Sequence, residues 1–298
     1  MKKLSLLVLL SALMITSCKK NKEEEPDPTP ALVTVSSVPS SFTQKVLIEE
    51  GTAVWCGYCP DGAYRMQDII SKNAGKVIGT ALHSSDVFTT SPDQYSAMSS
   101  EFTCSGIPSG MINRIPSSVD QEVFMNRGYW SSAVSSCLSK QAKCGLAIEG
   151  KRLSGNTATI TVHAGFKTAL TGTINLTIYL LEDNVTGTGS DYDQHNYMNN
   201  DPSSPFYQKG DVIKGYQHNH VLRKVLTASM GDAIPTAKLV AGGEYVVTKT
   251  VDVSKYKVSD LKVVAFVNSV GSTAATHEVL NVQEASFYTG QVTGKNWD

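Results

Sequence analysis

Between residues 45 and 114, short apolar runs alternate with stretches whose apolar positions recur every three or four residues, a pattern that predicts strands separated by helices. Val46-Leu47-Ile48-Glu49-Glu50 reads as a buried strand that Gly51-Thr52 breaks. Ala63, Met66, Ile69 and Ile70 then share one helix face, Pro60 suits the first turn, and Asn73-Ala74-Gly75 closes it. Val77 to Leu82 is the next strand. Ser91 to Phe102 is a second helix, in which Ser91 caps, Pro92 takes the first turn, and Tyr95, Met98 and Phe102 share a face. Gly106-Ile107-Pro108-Ser109-Gly110 opens a further strand at Met111-Ile112. After Arg114 no clear strand precedes a helix that starts near Asp120 and runs through Val123, Arg127, Trp130, Val134 and Leu138.

From about Gly145 the period changes to two. Ala158, Ile160, Val162 and Ala164 alternate with Thr157, Thr159, Thr161 and His163, and Ile174, Leu176, Ile178 and Leu180 repeat the device, as in half-buried antiparallel strands. Val221 to Thr227, Tyr245 to Val253, Leu261 to Asn268 and Glu278 to Gln283 are further strands between polar turns. About six or seven strands in this half predict an all-β, immunoglobulin-like sandwich. They are too short, and too poor in aromatic girdles, for an outer-membrane barrel. A chain of 298 residues with 41% hydrophobic content can bury two cores. The expected division is a signal at 1–17, a tether at 18–40, an α/β domain at 41–143 and a β-sandwich at 144–298.

The sharpest chemical signal is Trp55-Cys56-Gly57-Tyr58-Cys59-Pro60, two thiols on a strand that runs into a helix. Unpaired N–H groups and the helix dipole favour the thiolate at Cys56, which makes it the attacking sulfur. Cys59, one turn further in, then resolves the mixed disulfide. A structural disulfide and half of a zinc site are the competing readings. No second Cys-x-x-Cys or Cys/His pair stands at zinc-finger spacing, so no metal is assigned and no cofactor is implied.

The order strand, dithiol, helix, strand, helix, Ile-Pro strand resembles the thioredoxin superfamily over residues 45 to 114. The resemblance implies a cis-proline facing the dithiol, with Ile107 and Pro108 in those positions, and Trp55 and Tyr58 join them as expected substrate-binding residues. It also implies a buried carboxylate six positions before the first cysteine, where Glu50 stands as general base. Glu49 is the one-residue-shift alternative, and a solvated strand-end glutamate is the competing reading. Tyr58 replaces the proline or histidine common between the family's cysteines, so neither the redox poise nor the direction of electron flow carries over.

Lys2-Lys3, the apolar run Leu4 to Met14, and Ile15-Thr16-Ser17-Cys18 resemble a bacterial lipoprotein signal. Cleavage before Cys18 would leave that cysteine lipid-bearing and the protein anchored without a membrane-spanning helix; a plain secretory signal cut elsewhere is the alternative. The charged run from Lys19 to Glu25 and the prolines up to Pro30 form a tether. Its acidic part is similar to the surface-export signal of some Gram-negative lipoproteins. Formal net charge is −1, and loss of Lys2 and Lys3 makes it more negative, with no basic stripe to bind nucleic acid.

Three cysteines remain. Export to an oxidising compartment predicts a structural disulfide, with Cys137 and Cys144 the chosen pair. Cys104 is either a third redox thiol near Pro108 or an inert buried cysteine. The polar stretch Asn184 to Gln217 is too long for a hairpin and is either functional or mobile. Its Asp191, Asp193 and Asp201 lack the glycine and glutamate spacing of an EF-hand, and His218 and His220 lack a third ligand, so solvated or hydrogen-bonding roles are favoured for both sets.

Taken whole, the chain resembles the twenty-eight-kilodalton outer membrane protein family of anchored lipoproteins. The resemblance rests on Val46 to Pro60, Gly106 to Arg114, Leu181 to Asp183, His218 to Arg223, Val263 to Phe266 and Glu278 to Val282. It implies a thioredoxin-like domain followed by a β-sandwich at the outer membrane of anaerobic Gram-negative bacteria. The expected function is a thiol-disulfide oxidoreductase acting on envelope protein thiols or disulfides. The alternative is a surface binding or adhesion lipoprotein whose dithiol is permanently oxidised.

Overall fold

Seven consecutive residues, Val46–Thr52, form β1, and every one of them is buried. The computed structural model describes residues 29–297, so the predicted signal, Cys18 and most of the tether lie outside the described residues. After β1 come α1 (Cys59–Lys72), β2 (Val77–His83), α2 (Gln94–Phe102), β3 (Ser109–Ile112), β4 (Met125–Asn126) and α3 (Trp130–Leu138). The second half adds β5 (Cys144–Ile148), β6 (Lys151–Arg152), β7 (Thr157–Phe166), β8 (Thr173–Glu182), β9 (Gln194–His195), β10 (Val212–Ile213) and β11 (Val221–Val225). It ends with β12 (Asp232–Ala233), β13 (Glu244–Asp252), β14 (Leu261–Val270), β15 (Val279–Tyr288) and β16 (Gln291–Val292). The chain is therefore mostly sheet with a few helices.

The main sheet is mixed and runs β4-β3-β1-β2-β11-β8-β14-β15-β16-β6. β1 and β2 are parallel, joined by the α1 crossover, and β3 is antiparallel to β1 with Gly51 opposite Ser109. That register sets Pro108, the residue before β3, beside the end of β1 where the chain turns into Cys56. Val221 bridges to Ala81, so the sheet of the first half continues into β11 and β8.

Three large clusters fill most of the interior. The separate sheet β13-β7-β5 lies over β8 and β14, where Ile160, Val162 and Phe166 meet Ile178, Leu180 and Val263. The opposite face of the same strands, through Tyr179, Leu181, Val264 and Phe266, packs against Leu47, Met98, Phe102 and Met111 from the first half. β8 is thus buried on both faces, not half-buried as its alternation predicts, because Tyr179 and Leu181 have their own core. Val46, Ile48, Met66, Ile69, Trp130 and Val134 form the third cluster under α1 and α3.

Three expectations are corrected. Asp93, not Ser91, caps α2, its carboxylate accepting from the Ser96 N–H at 3.0 Å, and Pro92 lies outside the helix after a cis Ser91–Pro92 peptide. The third helix begins at Trp130. Residues 117–122 instead form a turn held by Ser117 and Asp120, and Met125–Asn126 is the short strand β4 on β3, followed by a 3-10 turn at Arg127–Tyr129. Gly110 leaves room for the buried Trp130 ring that anchors this corner. Finally, Cys137 and Cys144 form no disulfide; both are free, because Cys137 faces the α3 core while Cys144 faces the β5–β7 core.

Candidate redox site

The turn that carries Cys56 and Cys59 hangs from β1 and feeds α1. Tyr58 is the N-cap residue of α1, Pro60 lies in its first turn, and Asp61 adds a negative charge there. Asp61 is held by Arg65 and Arg127, whose hydrogen bonds outweigh the burial that works to raise its pKa, and its pKa is lowered. Cys56 and Cys59 are joined in a disulfide. Cys56 sits just ahead of the helix and is 6% exposed, against 1% for Cys59.

The Ile107–Pro108 peptide is cis, and the Ile107 carbonyl oxygen lies 3.8 Å from the Cys56 sulfur. Pro108 packs beside Gly62 on α1. An open groove of about 560 Å³ starts here, lined by Tyr58, Ile107, Pro108, Phe124, Arg127 and Tyr129. Trp55 is half-exposed, and its indole N–H donates to the Ser84 carbonyl at 3.0 Å, away from the groove's lining. Cys104 is partly exposed next to this loop, its sulfur 3.3 Å from both the Gly106 carbonyl and the Ser109 hydroxyl.

Behind Cys59 lies a second cavity, of about 200 Å³, lined in part by Glu50, Tyr64, Phe206, Tyr216 and His218. Glu50 is 1% exposed, and its Oε1 has no hydrogen-bond partner among the described residues. Burial pushes its pKa well above the ordinary value; Arg127 opposes this and Asp61 adds to it. A buried carboxyl group with a raised pKa, in the same cavity as Cys59, is placed to exchange a proton with that sulfur. Glu49 points the other way, as strand alternation requires, and forms a buried ion pair with Arg114 at 2.6 and 2.8 Å. Of the two glutamates, Glu50 is the one that shares a cavity with Cys59.

The polar stretch at residues 184–217 folds over this site. The Gln194 side-chain amide lies 3.0 to 3.2 Å from the carbonyl oxygens of Ala53, Val54 and Cys56. The Tyr197 N–H donates to Gly57 at 2.8 Å, and its ring covers Gly57, where any side chain would collide. Tyr58 and Tyr197 meet edge to face at 5.3 Å. Nothing in the spacing of Gln194 or Tyr197 signals this role, since it depends on contacts about 140 residues apart. The loop's acids serve its own turns: Asp193 accepts from the Gly215 N–H and Asp201 from Ser203. His218 hydrogen-bonds the Tyr192 carbonyl at 2.9 Å and His220 the Gln67 side chain at 3.1 Å, and burial first of all lowers both to a pKa of about 4.

The model of the family described as outer membrane protein Omp28 matches residues 95–291. The match begins within α2 and leaves the dithiol outside it. Among solved structures, HBP35 of Porphyromonas gingivalis aligns with TM-score 0.65 at 22% identity, covering 83% of this chain and 76% of that one. A crystal structure of an Agrobacterium tumefaciens protein aligns with TM-score 0.48 at 12% identity, over 84% of this chain and 95% of that one. No curated protein sequence matches the chain. Among the described residues, no helix is long and apolar enough to cross a membrane.

Proposed function

The chain belongs to the Omp28 outer membrane protein family, and we propose that it is a lipid-anchored thiol-disulfide oxidoreductase of the cell envelope, with a thioredoxin-like unit followed by a β-sandwich. One observation carries the reading: the Cys56 sulfur lies 3.8 Å from the Ile107 carbonyl, beside a cis-proline and at the head of an open groove. An extended segment of an envelope protein laid along that groove meets the Ile107 backbone and the apolar faces of Pro108, Phe124 and Tyr58. In the reduced protein, the Cys56 thiolate attacks one sulfur of the substrate disulfide and expels the other as a thiolate. Cys59 gives its proton to the carboxylate form of Glu50 and attacks the Cys56 sulfur, which expels the second substrate sulfur as a thiolate, to be protonated by solvent, and leaves Cys56–Cys59 oxidised. Two electrons pass to the substrate, and an envelope dithiol donor must return them. Lipidation at Cys18 and the tether to residue 40 would hold this unit at the outer membrane.

Replacing Cys59 with alanine leaves Cys56 unable to release its partner. The expected result is a set of mixed disulfides on Cys56 in cells, lost on further replacement of Cys56. Absence of trapped partners together with absence of insulin-reducing activity would sink the reading.

The 6% exposure of Cys56 under the Tyr197 strap favours a second reading, a surface binding protein with a permanently closed bridge. It requires that replacing both cysteines leave binding unchanged.

A further inference from the structure

We propose that Gln194 is a positioning residue of the redox turn, and that the segment Gln194–Tyr197, from the second half of the chain, completes the site. The inference rests on the oxidoreductase reading. The turn from Ala53 to Cys59 has few backbone bonds of its own: the Cys56 N–H donates to Ala53 and the Cys59 N–H to Cys56, each at 3.2 Å. Its carbonyls are met instead by donors from the strap. Gln194 faces Ala53, Val54 and Cys56 with one amide group, the His195 N–H donates to Val54 at 2.8 Å, and the Tyr197 N–H donates to Gly57 at 2.8 Å. Because every neighbour of that amide nitrogen is a carbonyl oxygen, the Gln194 side chain must present its N–H₂ here.

The strap is itself rigid, with Asn196 donating to the Phe206 and Gly210 carbonyls at 3.0 and 2.9 Å, and β9 paired to β10. Gln194 is 3% exposed, so water cannot replace it without a rearrangement. Carbonyl oxygens crowded near a sulfur disfavour its thiolate. Donors aimed at those oxygens draw off their partial charge and hold them in place, which favours the thiolate without adding a titratable group. Tyr197 meanwhile closes the Gly57 side, so a substrate reaches Cys56 from the Ile107–Pro108 groove.

Among the described residues, the charged or titratable groups around the turn include Glu50 on β1, Tyr58 in the turn, Asp61 and Arg65 on α1, Arg127 after β4, the His83–Asp86 pair, whose Asp86 carboxylate accepts from the Val54 N–H, Tyr216 and His218 in the Cys59 cavity, and His195 and Tyr197 of the segment itself. None changes in a Gln194→Met variant, which keeps the volume and removes the donor. In the otherwise complete mature chain, reduced and alkylated with iodoacetamide across pH, the variant's midpoint for Cys56 labelling should rise by about one unit, a tenfold loss of thiolate below the midpoint. Equilibration with glutathione should shift about tenfold toward the Cys56–Cys59 disulfide, because the reduced form loses stabilisation of its thiolate. Gln194→Glu, of the same length and polar, should shift both readouts in the same direction and serves if the methionine variant does not fold.

A wild-type chain that exchanges normally, alongside folded variants with unmoved midpoint and equilibrium, overturns the inference alone. A wild-type disulfide that never exchanges with glutathione overturns the oxidoreductase reading and this inference with it.

Discussion

Arg114 grips Glu49 through two hydrogen bonds, at 2.6 and 2.8 Å, in an interior where neither side chain reaches solvent. The Tyr179 hydroxyl donates to the same carboxylate at 3.1 Å, and Phe102 and Phe266 flank the guanidinium. This pair stitches the first half of the chain to β8 and β14. Removing one partner strands the other charge in the core, a cost of about 3–5 kcal/mol. Arg114→Met should therefore lower the unfolding free energy by that amount, read in urea titrations, while the Cys56–Cys59 bridge still forms. A loss below 1 kcal/mol would mean that water reaches Glu49.

Glu50 makes stability fall as pH rises. Its folded pKa is raised above the unfolded one, so the native state holds a proton that the unfolded chain releases near pH 4.5. The stabilisation is complete below that pH and disappears as the pH climbs through the folded pKa. Glu50→Gln should remove this fall, gain stability over the wild type under alkaline conditions, and match it under acid ones, as denaturant titrations at several pH values will show. On the proposed oxidoreductase reading, the same change should slow resolution of the Cys56 mixed disulfide by about a hundredfold or more.

His218 and His220 act in the opposite direction. Burial, the largest cause for each, lowers both to about 4, so the unfolded chain takes up protons first as pH falls from 6.5. Their contribution is fully present above 6.5 and is lost between 6.5 and about 4, at roughly 3 kcal/mol each by the size of the shift. His220→Asn, which suits the left-handed backbone at φ 58°, should flatten part of that acid limb. An acid limb of unchanged slope would count against a buried, neutral His220.

The free thiols should divide by burial. Desolvation raises Cys137 to about 11 and Cys144 to about 12, so neither forms appreciable thiolate at pH 8. Iodoacetamide at that pH, followed by peptide mapping, should mark partly exposed Cys104 and spare both others until the chain is unfolded. Labelling of native Cys144 at the Cys104 rate would contradict its complete burial.

Much of the first half was legible because its signals are local. A glycine break after Val46 to Glu50, a proline in the first turn of α1 and helical spacing through Ile70 act over a few residues, and β1, α1 and β2 follow from them. Apolar residues at Val123 and Trp130 fit a helical period, yet no helix starts near Asp120, because Met125 is drawn into a ladder with Gly110. The cysteine pairing failed for a related reason: proximity in sequence says nothing about which of two cores a residue faces.

The sequence by itself determined the chemistry available, two thiols at the mouth of a helix with an Ile-Pro turn about fifty residues on, since propensity and spacing operate at short range. Tertiary structure alone decided which glutamate stands behind Cys59 and which residues close over the turn. Strand pairing sends Glu49 to Arg114 and Glu50 to the cavity, and the packing of the second half brings Gln194 and Tyr197 onto Cys56 and Gly57. Those contacts join residues more than sixty positions apart, and only the shared burial of both halves fixes which groups meet.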